Sequence, residues 1–138
     1  MANRKKSTRR KVDAASKLAL AQRHLERVQE AWDDPLDWDD LSLYGFYCLE
    51  NAVEAAALHF GLRTTHAHAE KAEIASRLHE ERNLPDVSGL LVDLNAARKA
   101  AAYGDIDPPE LDPQDVANEI EEYVEAVATL IAGGNGGE

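Results

Sequence analysis

The sequence predicts an all-α protein, an antiparallel bundle of about five helices, and three observations predict it. Apolar residues recur every three or four positions in five separate stretches. No stretch alternates with period two, as a half-buried strand would. The stretches are divided by short segments rich in Asp, Pro, Asn and Gly, which stop helices and favour antiparallel neighbours.

The first helix is expected from Val12 to Trp32, with Val12, Ala15, Leu18, Ala19, Gln22, Leu25, Val28 and Trp32 facing inward and only Gln22 polar among them. Asp33, Asp34 and Pro35 break it, because proline lacks the amide donor and disfavours helix in the residue before it. Asp37, Trp38, Asp39 and Asp40 lead into the second helix, where an aspartate can cap free amides at the positive end of the dipole. That helix is expected from Asp40 to Phe60. Leu43, Phe46, Tyr47, Leu49, Ala52, Val53, Ala56 and Ala57 make it the most apolar, so it is expected at the centre, with Gly61 closing it. A third helix from Ala67 to Arg82 carries Ala72, Ile74, Ala75 and Leu78 and stops at Asn83–Leu84–Pro85. A fourth begins at Asp86 or Ser88, buries Leu90, Leu91, Leu94, Ala97 and Ala101, and ends at Tyr103–Gly104–Asp105. The last starts at Asp112 with Pro113 in its first turn, and turns Val116, Ile120, Tyr123, Val124, Val127 and Ile131 inward. The chain thus divides into a basic, disordered arm (1–11), one helical bundle (12–132) and a flexible Gly-rich tail (133–138).

At 138 residues, one domain can bury a core without disulfides or metals. No apolar run approaches the roughly 18 residues of a membrane span, and no hydrophobic stretch follows the N-terminal charges as in a secretory signal. Cys48, the lone cysteine, sits in an apolar run, so a cytoplasmic protein with a buried thiol is expected. The net charge of −11 is uneven. Arg4, Lys5, Lys6, Arg9, Arg10 and Lys11 give residues 1–11 a charge of +6, which leaves −17 on the rest. An acidic body repels phosphate backbones. The arm is either a nucleic-acid or acidic-partner contact, or a solubilising tail.

No phosphate loop, GxSxG, HExxH or CxxC pattern occurs. His59, His66 and His68 lie near one helix end, but no cysteine or carboxylate spacing completes a zinc site, so neither metal nor cofactor is expected. Glu50 and Glu54, with Asn51 beside them, share a face of the most apolar helix. Polar groups there mark a site, or they face solvent or an interface. The end of the fourth helix, Arg98–Lys99–Ala100–Ala101–Ala102–Tyr103–Gly104–Asp105, is the other concentration of polar chemistry.

These two stretches resemble the HEPN family, small α-helical domains of toxin–antitoxin and nucleic-acid-conflict systems. Phe46–Tyr47–Cys48–Leu49–Glu50–Asn51–Ala52–Val53–Glu54–Ala55–Ala56 is similar to its second-helix pattern. Arg98 followed by Tyr103 resembles its motif of an arginine, a polar neighbour and a histidine four to six residues on. The helix order over 12–132 also fits. The resemblance implies metal-independent RNA cleavage in active relatives, with the arginine stabilising phosphate charge and the histidine moving protons. It also implies a homodimer and a nucleotidyltransferase-like antitoxin as partner.

Arg98 can keep its part, because a guanidinium is always charged and forks onto phosphate. Tyr103 replaces the histidine, Lys99 the usual polar neighbour, and Ala55 stands where the pattern often has lysine. With a reference pKa of ~10, about one tyrosine in a thousand is deprotonated at pH 7. Residues five apart on a helix differ by roughly 140°, so Arg98 and Tyr103 share a site only if the helix end unwinds or two copies meet. The competing reading pairs Arg98 with Asp93 or Asp105 and packs Tyr103 on the bundle end.

The expected function is therefore a HEPN-like binding or regulatory domain of a toxin–antitoxin type system, without ribonuclease activity. One alternative is a metal-independent endoribonuclease using Arg98 with Tyr103 or with a histidine from elsewhere. The other is a nucleic-acid-binding or scaffolding protein acting through its arm. The homodimer is expected through the second and fourth helices, which carry more apolar and small residues than one bundle needs.

Overall fold

The computed structural model describes residues 13–33, 35–65, 67–104 and 107–133. The basic arm, Asp34, His66, Asp105 and most of the Gly-rich tail lie outside them. The described residues form five helices, α1 (Ala14–Ala31), α2 (Trp38–His59), α3 (His68–Arg82), α4 (Ser88–Tyr103) and α5 (Pro113–Ala132), and no strand. None is long and apolar enough to cross a membrane.

Three of the helices begin at an aspartate whose side chain accepts a free amide. Asp13 accepts from the Ser16 amide at 2.9 Å, Asp37 from Asp40 at 3.1 Å and Asp112 from Gln114 at 3.0 Å. Asp37 rather than Asp40 caps α2, so that helix starts two residues earlier than its apolar pattern. At α3, Glu70 reaches back to the amide and hydroxyl of Thr65 at 2.6 Å each. At α4, Asp86 holds the amide and hydroxyl of Ser88 from one residue outside the cap position, at 3.0 and 2.7 Å. Helix α2 ends with Gly61 left-handed (φ 77°), which lets the Leu62 amide reach the Ala57 carbonyl at 2.8 Å.

Helix α2 is the axis of the fold and packs against all four others. From Leu41 to Phe60 it has no exposed residue. Its apolar residues are covered by this chain's own helices. The contacts Arg27–Tyr44, Ala21–Cys48 and Lys17–Glu54 run in opposite order along α1 and α2, so this pair is antiparallel. Close approach is possible at small residues. Cys48 Sγ donates to the Ala21 carbonyl at 3.2 Å. At Gly45 an added Cβ would lie 2.8 Å from Ile120 Cδ1 on α5.

The inward faces of α3 and α5 follow the sequence pattern. Two registers differ. On α1 the buried residues are Ala21, Val28 and Ala31, while Ala15, Ala19, Gln22 and Trp32 are exposed. The helix is rotated by about one position, which turns polar Gln22 outward and presents small Ala21 to α2. On α4, Ala100 is buried and Ala101 exposed for the same kind of reason. An alanine-rich helix carries little periodic contrast, so its neighbours choose the face.

Candidate functional site

The site lies where α2, α3 and α4 meet. Phe46, Glu50 and Glu54 follow one another at one-turn intervals on α2 and face α3. The connection after α2 returns the chain so that the first turn of α3 meets the middle of α2, not its end. His68, the first residue of α3, therefore arrives beside Glu50. Its Nδ1 lies 2.5 Å from Glu50 Oε2, and its ring packs edge-on against Phe46 with centroids 5.1 Å apart. Helix α4 runs against α3 and brings in Arg98. The guanidinium sits 4.8 Å from the centre of the Phe46 ring, with Nη2 3.4 Å from His68 Nε2.

The donor and acceptor chemistry orients this array. An ionised carboxylate can only accept, so His68 Nδ1 carries a proton toward Glu50. A guanidinium can only donate, so Nε2 is the ring atom that faces Arg98 as acceptor. Glu50 is only 9 % exposed, which makes its pairing with the imidazole necessary as well as geometrically good. Among the described residues no carboxylate pairs with Arg98, and its Nε is buried without a hydrogen-bond partner. The pairing with Asp93 does not form, and Asp105 lies outside the described residues. The array is a carboxylate, an imidazole bonded to it, and a cation that pairs with no carboxylate among the described residues. Such a group can hold a phosphate or carboxylate and exchange a proton at Nε2.

A cleft of about 200 Å³ opens beside the array between α3 and α4. Phe46, Ala72, Leu91 and Val92 supply its apolar walls, and His68 and Asn95 its polar groups. Asn95 Oδ1 itself is buried, without a hydrogen-bond partner among the described residues.

The other expected site residues are used differently. Glu54 is bound to Lys17 at 3.5 Å, to Lys71 at 3.8 Å and to the Thr64 hydroxyl at 3.0 Å. Lys71 is 5 % exposed and its partners half-buried, so this ionic knot ties α1, α2 and α3 together. Asn51 turns back along its own helix and donates to the Tyr47 carbonyl at 2.8 Å. Lys99 is exposed on α4. Helix α4 stays wound through Tyr103, and left-handed Gly104 (φ 78°) follows it. Tyr103 is consequently 70 % exposed and does not join Arg98 within this chain. His59 packs on Phe60 at the far end of α2, with ring centroids 5.2 Å apart. It is thirteen residues from Phe46, roughly 20 Å along the helix, so His59 and His68 do not converge.

His68 is the residue that sequence reasoning missed as a partner of Arg98, because nothing local links positions 50, 68 and 98. The available signal was Glu50, an acid on the most apolar helix, which needs a cation or donor from another element.

A second polar cluster lies across the bundle on α1 and α2. Arg27 covers the Tyr44 ring at 4.7 Å, and His24 stacks on Tyr44. Burial, then the charges of Arg23 and Arg27, lower the pKa of His24, which favours the neutral ring.

The chain matches no protein-family model, and comparison with curated proteins and with solved structures finds no significant match.

Proposed function

We propose that this chain is a HEPN-like binding and regulatory domain whose Glu50–His68–Arg98 array holds a phosphate-bearing ligand, within a toxin–antitoxin type system. The observation that carries the reading is Arg98, a guanidinium seated on Phe46 and touching His68, with no carboxylate among the described residues to neutralise it. Its guanidinium faces an imidazole and an aromatic ring rather than a carboxylate. The domain acts as a homodimer joined along α4, where Val92 (59 % exposed) and Tyr103 leave large apolar surface open. Partners are a second copy, a nucleotidyltransferase-like antitoxin, or RNA guided by the basic arm.

One observation favours a second reading, a metal-independent endoribonuclease. A carboxylate-oriented histidine beside the arginine is better suited to proton transfer than exposed Tyr103, so His68 takes the part that the resemblance gives to a histidine on the fourth helix. Incubating purified protein with a mixed RNA in chelator tests both. The first reading expects Arg98-dependent binding of RNA or phosphate without cleavage. The second expects cleavage that Arg98→Ala and His68→Ala abolish and Tyr103→Phe leaves intact. Wild-type protein that neither binds nor cleaves would remove both readings.

A further inference from the structure

Helix α5 carries Asp115, Glu119, Glu121, Glu122 and Glu125 within eleven residues and no Lys, Arg or His along its length. Among the described residues none of the five takes part in an ion pair. Glu121 and Glu125 stand one turn apart on the side toward α1, where Glu121 accepts from the Gln29 carboxamide at 3.1 Å. Beside them a groove of about 280 Å³ runs between α1 and α5. Val28 and Ala117 give it apolar walls, and Trp32, which also lines it, is 38 % exposed. A carboxylate ridge next to an open indole suits cations with long apolar stems. The stem lies on the apolar wall, the charge meets a carboxylate, and a guanidinium can cover the indole face.

We propose that this groove is the docking site of the chain's own basic segment, residues 4–11, held in cis along Glu121 and Glu125 with an arginine on Trp32, so that nucleic acid reaches the segment only by displacing it. Charge and reach both favour this occupant. The segment carries six positive charges beside a body of −17. It joins the described residues at Asp13, the cap of α1, and α1 forms one wall of the groove. Gln29 lies sixteen residues along α1 from Asp13, roughly 24 Å at the helical rise. An extended chain covers that distance in about seven residues. Lys6 then comes level with Glu121, and Arg4 with Trp32. Tethering also presents the segment to the ridge at an effective concentration on the order of millimolar, which a free basic peptide does not match.

Zero-length carbodiimide coupling of the full chain, as an equal mixture of unlabelled and isotope-labelled protein, tests the proposal. At low salt, peptide mapping is expected to find Lys5 or Lys6 joined to Glu121 or Glu125 within one chain. Those links are expected to be lost at about 1 M salt, where the screening length falls to roughly 3 Å. A triple Arg4→Ala, Arg9→Ala, Arg10→Ala variant and, independently, Trp32→Ala leave every coupling group in place. Each is expected to lower the yield of the links severalfold, and thermal melts separate that loss from loss of fold. Yields unchanged in both variants would overturn the proposed seat. Links spread evenly over exposed acids such as Asp39, Glu80 and Glu110 would overturn it in favour of general attraction to an acidic body. Links found only between labelled and unlabelled chains would overturn it in favour of a second copy as host. Absence of links would overturn it too, leaving a nucleic-acid arm if single-stranded RNA binds through these residues and a solubilising tail if it does not.

Discussion

At the residue scale, buried groups with defined partners carry the clearest consequences. Cys48 lies wholly inside the core with its Sγ on the Ala21 carbonyl, and burial pushes its thiol up to about 12. The thiolate is the reactive form, so Cys48 is expected to resist iodoacetamide at pH 8 in the folded protein and react fully in denaturant. A raised folded pKa favours the protonated native state. The associated stability is complete below the unfolded thiol's pKa and is lost as the pH rises toward 12. Labelling of the native protein at the rate of a free thiol would show that α1 and α2 open readily at this point. Cys48 was legible in the sequence as a buried thiol. Its partner was not, because it depends on the rotation of α1.

At the scale of elements, α2 decides most of the architecture, and two of its residues make that measurable. Glu54 ties Lys17, Lys71 and Thr64 to the helix, and Lys71 has little access to water. Glu54→Ala leaves that ammonium buried and unpaired and is expected to cost about 3–5 kcal/mol in urea unfolding. Lys71→Met removes the need along with the charge and is expected to cost much less. Equal losses would place the stabilisation in packing instead. Gly45 sets how closely α2 approaches α5. Gly45→Val is expected to cost about 1–3 kcal/mol by overpacking against Ile120 and Leu94. Gly45→Ala meets only the movable end of Ile120 and regains about 1 kcal/mol of helix propensity, so its net change is expected to be small. Helix positions and caps were readable from Asp112, Pro113 and Gly61, whereas the Asp13 cap of α1 fell inside the helix expected from Val12. The faces of α1 and α4 were not, because runs of alanine give similar patterns in adjacent registers.

At the scale of the whole molecule, the acidic surface sets the response to pH and salt. Burial, then the charges of Asp115 and Glu122, raise the pKa of Glu119 on the outer side of α5. A carboxyl with a raised folded pKa opposes folding while ionised, and that penalty is relieved as the pH falls through its folded value. Glu119→Gln is therefore expected to raise Tm at pH 7 in low salt, by an amount that shrinks as salt screens the repulsion. Glu70 and Asp86 shift the other way, lowered first by the Thr65 and Ser88 hydroxyls and then by their amides. Their contribution is present above the usual carboxylate range and is lost as the pH falls through their depressed folded values. Tm is accordingly expected to decline in that acidic range, and less steeply in a Glu70→Gln, Asp86→Asn variant. A parallel decline would show that these exposed caps do not control acid stability.

The sequence by itself determined that the chain is helical, where its helices start and stop, and that α2 lies at the centre. Those properties follow from local propensity, capping chemistry and the contrast between apolar and polar residues within a few turns. It also marked Glu50 and Arg98 as residues in need of explanation. Only the tertiary structure decided what they meet. The return of the chain after Gly61 sets the first turn of α3 against the middle of α2, and this puts His68 between Glu50 and Arg98. Tyr103, five residues from Arg98 in sequence, is carried round to the outside of an unbroken helix. Proximity in this site comes from how three helices cross, and spacing along one chain segment does not encode that crossing.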